Sequence, residues 1–228
     1  MGLFDQAAFN RFIMEHNVYG FFDRAVTLKS GRTSHFYANW RAVVEDVFLT
    51  ERLAAFVLDF VADQQLAVDT FYGVPEGATK LGIIAQLTWA KRQDNYGPGS
   101  HCLVMGRAKP KEHGLPRDRY FVGQPRGKVV VLEDVTTTGG SLLVTVEQLR
   151  DAEIEISAAI SLTNRMEKRD DGQSVEELFR KKGLAYLSMS SALDILPQVY
   201  QRLNPGEKIG RAIEEEFARY GVSPLKLV

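Results

Sequence analysis

The chain has 228 residues, of which 45% are hydrophobic and 25% charged, as is typical of a globular protein with one substantial core. Its formal net charge of −1 excludes a general electrostatic attraction to nucleic acid or to an anionic membrane. No apolar run approaches the length of a membrane span, no targeting segment is visible, and the single cysteine, Cys102, cannot form an internal disulfide. We therefore expect a cytoplasmic protein without nucleic-acid or membrane partners.

Hydrophobic spacing predicts alternating helices and strands along the chain. Residues 5–17 have the spacing of an amphipathic helix, and Thr50 is a suitable N-cap for a second one. The pattern next predicts strands at 69–74, 102–107, 128–133 and 156–163, with helices near 78–92 and 141–152. Ser174 and Glu177 form a capping-box pattern, and 206–220 has the composition of a surface helix. This alternation predicts an α/β fold with a central, mainly parallel sheet flanked by helices.

The segment 129–141, with the sequence VVVLEDVTTTGGS, carries the clearest functional signal. The apolar residues of a buried strand lead to two acids, Glu133 and Asp134, and small polar residues then open a helix. Backbone N–H groups of such a loop can surround a phosphate, while the acids can hold ribose hydroxyls. Neither a Walker A loop nor a G-x-G-x-x-G fingerprint occurs in the sequence. The pattern indicates a sugar-phosphate site, and its predicted phosphate-binding residues are Thr137, Thr138, Gly139, Gly140 and Ser141.

This segment resembles the phosphoribosyl-diphosphate (PRPP) signature of type I phosphoribosyltransferases. The segment 27–39, TLKSGRTSHFYAN, closely resembles a segment of orotate phosphoribosyltransferases, so the chain is identified as a member of that family. The resemblance runs from about Phe21 to Arg165. It implies the type I phosphoribosyltransferase fold in a single domain, 1–228, with an N-terminal hood at about 1–45 and a helical tail at about 190–228.

The implied reaction transfers the 5-phosphoribosyl group of PRPP to orotate. Its products are diphosphate and orotidine 5′-monophosphate, in the de novo biosynthesis of pyrimidines. The resemblance assigns Lys29 to contacts with both substrates, and it assigns Tyr37, Thr137 and Arg165 to the orotate side. Ala38 replaces a second aromatic residue of the family pattern.

Two further loops match the side of the site that holds the diphosphate. The segment 73–82 is a glycine-rich turn that opens a helix, and it resembles the loop that binds the pyrophosphate of PRPP. Many family members carry a lysine near the position of Gly77, and this chain does not. Lys80, three residues later, is open to two interpretations: a substitute for that charge, or a surface lysine.

The segment from Arg107 to Lys128 contains seven Lys or Arg residues and two acids, which favours a loop that closes over an anion. It resembles the family's mobile loop, which reaches the active site of the neighbouring subunit in a dimer. The positions that match are Arg107, Lys111, His113 and Gly114. Ala108 replaces a lysine, for which Lys109 is a candidate substitute. The resemblance therefore implies a homodimer with shared sites.

In the implied chemistry, positive charge builds on the ribose and negative charge on the leaving diphosphate. Asp134 is predicted to face the positive charge on the ribose, and Glu133 to hold the ribose from the side. Lys29, Lys111 and His113 are predicted to stabilise the negative charge on the leaving diphosphate. Mg²⁺ is the expected cofactor, bound mainly through substrate oxygens and water, so no protein metal site is predicted. Two alternatives remain open at this point: another type I phosphoribosyltransferase, acting on a purine or other base, and a non-catalytic PRPP-binding regulator.

Overall fold

The computed structural model describes residues 4–113 and 119–228. Its helices are α1 (Gln6–Glu15), α2 (Arg41–Val44), α3 (Val47–Asp63), α4 (Thr79–Ala90), α5 (Gly140–Asp151), α6 (Val175–Lys181), α7 (Ala192–Leu203) and α8 (Glu207–Tyr220). Its strands are β1 (Tyr19–Thr27), β2 (Thr33–Ala38), β3 (Thr70–Gly73), β4 (Met105–Gly106), β5 (Phe121–Val122), β6 (Val129–Thr136), β7 (Ile156–Asn164) and β8 (Ala185–Ser188).

Four parallel strands form the central sheet, in the order β3-β6-β7-β8. Helices cover both of its faces, so successive residues of β6 enter two different cores: Val130 and Leu132 lie in one cluster, and Val129 and Val131 in the other. The predicted α/β fold with a parallel sheet flanked by helices is confirmed. Because parallel strands end at the same edge, the loops that follow β3, β6 and β7 meet there.

Within the predicted hood, β1 and β2 form an antiparallel hairpin, paired from Tyr19 opposite Ala38 to Thr27 opposite Thr33. Helix α1 packs beside it through Phe9, whose ring stacks on that of Trp40 with centroids 5.8 Å apart. Ala38 is 3% exposed and belongs to the core cluster that includes these aromatic residues. The hairpin therefore rests on the sheet as a packed layer.

Two elements differ from the sequence prediction. The strand predicted at 102–107 is only β4, and it pairs antiparallel with β5 in a separate two-stranded sheet. Thr50 does not cap a helix: α3 begins at Val47, and the Asp46 side chain accepts the Leu49 N–H at 2.8 Å. Val47 and Phe48 are exposed, so hydrophobic spacing gave no sign that the helix starts so early. Thr50 is buried in the helix, with its hydroxyl bonded to the Asp46 carbonyl at 2.6 Å.

The helices whose bounds were predicted, α1, α4, α5 and α8, agree with the prediction within one or two residues at the ends. The capping box of α6 forms as predicted: the Ser174 hydroxyl accepts the Glu177 N–H, and the Glu177 carboxylate accepts the Ser174 N–H. Among the described residues, no helix has the length and apolar character needed to cross a membrane.

Candidate active site

A cavity of about 530 Å³ opens at the carboxyl edge of the central sheet. The hairpin turn between β1 and β2, the loop after β3, the beginning of the basic segment and the signature loop after β6 all contribute to its wall. The predicted site residues that line it are Lys29, Arg107, Glu133, Thr137, Thr138, Gly139, Gly140 and Ser141. Residues separated by more than 100 positions in sequence are thus brought to one place.

The signature loop passes directly into α5 through Gly139, which has a φ of +71°. Only glycine adopts this left-handed conformation without strain, and a Cβ there would also lie 3.2 Å from Cγ1 of Val175. No side chain caps α5, so its first N–H groups are not taken by an N-cap oxygen. The positive end of the helix dipole faces the same cavity, which makes this wall suited to a phosphate.

Arg169 is a loop-supporting residue that the sequence did not point to. It lies in the connection between β7 and α6, and its guanidinium donates a hydrogen bond to the carbonyl of Thr138. This contact fixes the orientation of a peptide group within the signature loop. Arg169 lies in a polar stretch far from the signature, so its sequence position did not indicate a role at the site.

The two acids of the signature have different surroundings. Glu133 lines the cavity but is only 8% exposed. Burial and the neighbouring Asp134 raise the pKa of its carboxyl to about 8, although the positive charge of Lys29 offsets part of this increase. Asp134 is not among the residues lining the cavity, and burial raises its pKa as well. Its carboxylate accepts the Val135 N–H at 2.8 Å. The site therefore concentrates poorly solvated carboxylates beside the cationic Lys29.

Gly77 stands directly against Asp134, because a Cβ built on Gly77 would overlap the Asp134 carboxylate. The backbone of the loop after β3 thus contacts Asp134 of the signature. Lys80, the second residue of α4, donates to the carbonyl of Val44 at 3.2 Å. Its ammonium is thus bonded to the end of α2, and Lys80 does not line the cavity.

Lys29 links the hood to the signature loop. It lies in a tight turn closed by hydrogen bonds from Leu28 N–H to the Arg32 carbonyl at 2.8 Å and from Gly31 N–H to the Leu28 carbonyl at 2.9 Å. Its ammonium donates to the Ser141 hydroxyl at 2.9 Å. One cation therefore reaches both the predicted phosphate loop and the neighbourhood of Glu133.

The remaining residues predicted on the orotate side lie deeper. Tyr37 is half-buried on β2 and is not part of the cavity lining. Arg165 is 2% exposed, and its guanidinium bonds to Glu167 at 2.7 Å, to the Ser34 hydroxyl at 3.0 Å and to the Phe36 carbonyl at 3.3 Å. The structure thus places Arg165 behind the hairpin and does not bring it to the cavity wall.

Of the described residues of the basic segment, the first two, Arg107 and Ala108, line the cavity. Arg107 lines the cavity and is held by β5, with its Nε donating to the Phe121 carbonyl at 3.2 Å. The other predicted residues of this segment, Lys109, Lys111 and His113, are exposed and do not line the cavity. Gly114 lies outside the described residues. Within the described part of the chain, no group of three or more His, Cys, Asp or Glu side chains is placed to hold a metal ion.

No family model matches the chain. An orotate phosphoribosyltransferase of Bradyrhizobium sp. (strain ORS 278) is 36% identical to it over 179 residues, which cover 75% of this chain and 88% of that protein. The chain belongs to the orotate phosphoribosyltransferase family.

Solved structures of orotate phosphoribosyltransferases share the fold. The Francisella tularensis enzyme aligns with a TM-score of 0.67 at 18% identity, covering 94% of this chain and 99% of that one. The Mycobacterium tuberculosis enzyme in complex with PRPP aligns with a TM-score of 0.55 at 19% identity, over 83% of this chain and 98% of that one. The family membership, together with a cavity that contains the PRPP signature, gives no support to a purine-specific transferase or to a PRPP-binding regulator.

Proposed function

We propose that this member of the orotate phosphoribosyltransferase family transfers the 5-phosphoribosyl group of PRPP to orotate, giving orotidine 5′-monophosphate and diphosphate in pyrimidine biosynthesis. The observation that carries the proposal is the bridge from Lys29 to Ser141, because it joins the family's hood segment to its PRPP signature across one cavity. The whole chain, 1–228, acts as a single domain in this proposal, with a hood at about 1–45 and a tail at about 190–228.

The 5′-phosphate binds at the N-terminus of α5, where the segment 137–141 offers backbone N–H groups and hydroxyls. The diphosphate lies between the loop that contains Gly77 and the cations Lys29 and Arg107. Orotate enters on the hood side, between Thr137 and the hairpin residue Tyr37. The predicted contact of Arg165 with the base requires its guanidinium to exchange one of its present partners, Ser34 or Phe36, for the substrate.

Breaking the bond between ribose C1 and the diphosphate oxygen builds positive charge on the ribose ring. Asp134 and Glu133 stabilise that charge electrostatically, and Glu133 must lose its proton to do so fully, because its pKa is raised to about 8. The leaving diphosphate is stabilised by Lys29, Arg107 and the loop amides. Lys111 and His113 add positive charge and hydrogen bonds when the basic segment closes, and Lys109 substitutes for the cation missing at Ala108. Closure also excludes the water that would otherwise hydrolyse PRPP.

Magnesium fits this site as an ion that arrives with its substrate. Glu133 and Asp134 offer adjacent carboxylates, and an ion held mainly by diphosphate oxygens and water needs no further protein ligands. Bound in that way, Mg²⁺ would neutralise part of the negative charge of the diphosphate. Glu133 and Asp134 are the residues that would face it or its bound water.

The protein is proposed to act in the cytoplasm as a homodimer with shared active sites. The stem of the basic segment supports the dimer: Leu103, Met105 and Val122 on and beside β4 and β5 are 57%, 37% and 43% exposed. Such neighbouring apolar side chains favour contact with another protein surface. Lys111 and His113 do not line their own cavity and are therefore free to reach a neighbour's.

An assay with a panel of bases tests the reaction. Purified protein is mixed with PRPP and Mg²⁺, and orotate, uracil, adenine and hypoxanthine are each followed by absorbance. We expect consumption of orotate only. Consumption of a purine without orotate would assign the chain to another base, and PRPP binding without turnover of any base would make it a regulator.

Subunit mixing tests the shared site. The inactive variants Lys111→Ala and Asp134→Asn are mixed so that their subunits exchange. Half the dimers become hybrids with one intact site each, so about a quarter of wild-type activity should return. If exchange is verified by native mass spectrometry and no activity returns, the basic segment acts within its own subunit.

A further inference from the structure

A chain of buried polar contacts ties the hairpin of the hood to the end of β7 and to α8. We call this set the hood lock; its members are Arg32, Ser34, Arg165, Glu167 and Glu216. All five side chains are largely buried; both guanidinium groups pair with Glu167, and Glu216 joins the set through Ser34. Charges removed from water in this way need mutual pairing, so each member depends on the others for its position.

Glu167 is the centre of the lock. One of its carboxylate oxygens accepts Nε of Arg165 at 2.7 Å, and the other accepts Nη1 of Arg32 at 3.0 Å. Arg32 also lies over the ring of Tyr220 on α8, with Cζ 4.6 Å from the ring centroid, and bonds to Asp170 at 2.7 Å. The end of the hairpin turn is thereby fixed against two other elements.

Glu216 connects α8 to β2. Its Oε2 accepts the Ser34 hydroxyl at 2.7 Å, and its Oε1 accepts the backbone N–H of His35 at 2.7 Å and lies 2.9 Å from His35 Nδ1. The same Ser34 oxygen accepts Nη2 of Arg165 at 3.0 Å, which closes the connection to the rest of the lock. One carboxylate therefore determines the position of two consecutive hairpin residues.

Glu216 is not what attaches α8 to the core. Ile213 and Phe217, on the same helix, are buried, and the Phe217 ring stacks on that of Phe36 with centroids 6.0 Å apart. Those apolar contacts would remain if Glu216 were removed. The specific consequence of losing Glu216 is that the polar contacts orienting β2 are lost.

The orientation of β2 decides where Lys29 points. Lys29 lies three residues before Arg32, in the tight turn that the Leu28 and Arg32 hydrogen bond closes. Its ammonium must extend from that turn to Ser141 on the opposite side of the cavity, where the two atoms are 2.9 Å apart. A small rotation of the hairpin would move this end of the turn out of hydrogen-bonding distance.

We propose that Glu216 is a positioning residue for catalysis: through Ser34, His35 and the hood lock, it holds the hairpin so that Lys29 reaches the signature loop. The inference rests on the proposed role of Lys29 in substrate contact. Glu216 itself touches neither substrate, since it lies on α8 behind the hairpin and does not line the cavity.

The test compares Glu216→Ala with Glu215→Ala, a matched control on the same helix whose side chain is exposed. We expect kcat/KM for orotate to fall about tenfold in Glu216→Ala, in line with the loss of charge-assisted hydrogen bonds, and to change less than about twofold in the control. Glu216→Gln keeps an oxygen for the His35 N–H and should recover part of the loss. If Glu216→Ala does not fold, as judged by circular dichroism, Glu216→Gln and Ser34→Ala carry the same comparison.

A double-mutant cycle with Lys29→Ala separates positioning from general stability. If Glu216 acts through Lys29, the Glu216 substitution should lower kcat/KM by less than about twofold once Lys29 is already alanine. An equal loss in both backgrounds, or no loss in a folded Glu216 variant, would overturn the inference. If Lys29→Ala alone leaves kcat/KM unchanged, the proposed role of Lys29 fails first, and the inference fails with it.

Discussion

The two adjacent glycines of the signature loop should respond in opposite ways to the same small substitution. Gly139 has a φ of +71° and a tight position beside Val175, whereas Gly140 begins α5 with Thr138 Oγ1, at 4.0 Å, as the nearest atom to an added Cβ. Alanine at either position adds one methyl group. Gly139→Ala therefore tests whether the backbone conformation requires glycine, and Gly140→Ala tests whether the phosphate site requires open space.

The magnitudes follow from these geometries. An alanine in the left-handed region costs roughly 1–2 kcal/mol, and a chain of this size loses roughly 2–4 °C in Tm per kcal/mol, so Gly139→Ala should melt about 2–8 °C lower. Gly140→Ala adds a methyl group to an unstrained helical position, so its Tm should stay level or rise slightly. That methyl group nevertheless stands on the cavity wall where the phosphate is proposed to bind.

Thermal melting and calorimetric titration with PRPP and Mg²⁺ measure the two effects separately. We expect Gly140→Ala to bind PRPP at least about tenfold more weakly, equivalent to roughly 1.4 kcal/mol, without loss of stability. Wild-type PRPP affinity in Gly140→Ala would refute the placement of the phosphate at the start of α5. An unchanged Tm in Gly139→Ala would refute the conformational reasoning.

Three other substitutions address the acids and the buried arginine. Asp134→Asn should lower kcat about 100-fold with an unchanged fold, because the amide keeps the Val135 contact but not the charge; activity within twofold of wild type would remove the electrostatic role. The pKa of Glu133 is raised from 4.5 to about 8 in the folded protein, so between these pH values the folded state binds a proton that the unfolded state has lost. The Tm of the wild type should therefore fall as pH rises from about 4.5 to about 8. Melting curves of Glu133→Gln should show a smaller fall over the same pH range. Arg165→Ala should destabilise the protein by about 3 kcal/mol, because Glu167 loses a buried partner, and it should also raise the KM for orotate, because the proposed contact with the base is lost; an unchanged Tm would refute the structural role of the ion pair.

The sequence predicted three of the four strands of the sheet, though not β8, and most helices, because these elements depend on local patterns. Parallel strands buried on both faces appear as short apolar runs, and the helices between them have regular spacing and recognisable caps, as in α6. Neither the order of strands in the sheet nor the hairpin of the hood could be predicted from the sequence. Burial does not alternate along β1, and the buried positions of β2 include the polar Ser34 and the small Ala38, so neither strand shows a clear alternation of hydrophobic residues in sequence.

The sequence predicted the part of the site whose functional residues lie together in one continuous segment. The signature loop needs no distant partner to form its phosphate-binding turn, so its residues line the cavity as a group. Arg169 and Glu216 could not be predicted, because each acts on a residue 31 or more positions away in sequence. Contacts of that kind depend on how α6 and α8 pack against the sheet, and hydrophobic spacing contains no information about it.

Two departures from the family pattern, at positions 77 and 38, can be explained by packing. At position 77 a side chain would overlap the Asp134 carboxylate, so a lysine there would require the acid or the loop to move, and glycine lets the two remain in contact. At position 38 the alanine side chain is buried in the hood core opposite Tyr19, where a second large ring would compete for space with Trp40 and Phe36. Both replacements are small residues at points of close approach. The chain therefore gives up a cation and an aromatic ring where its own loops and core leave no room, while it keeps the phosphate loop, the acids and Lys29 in one cavity.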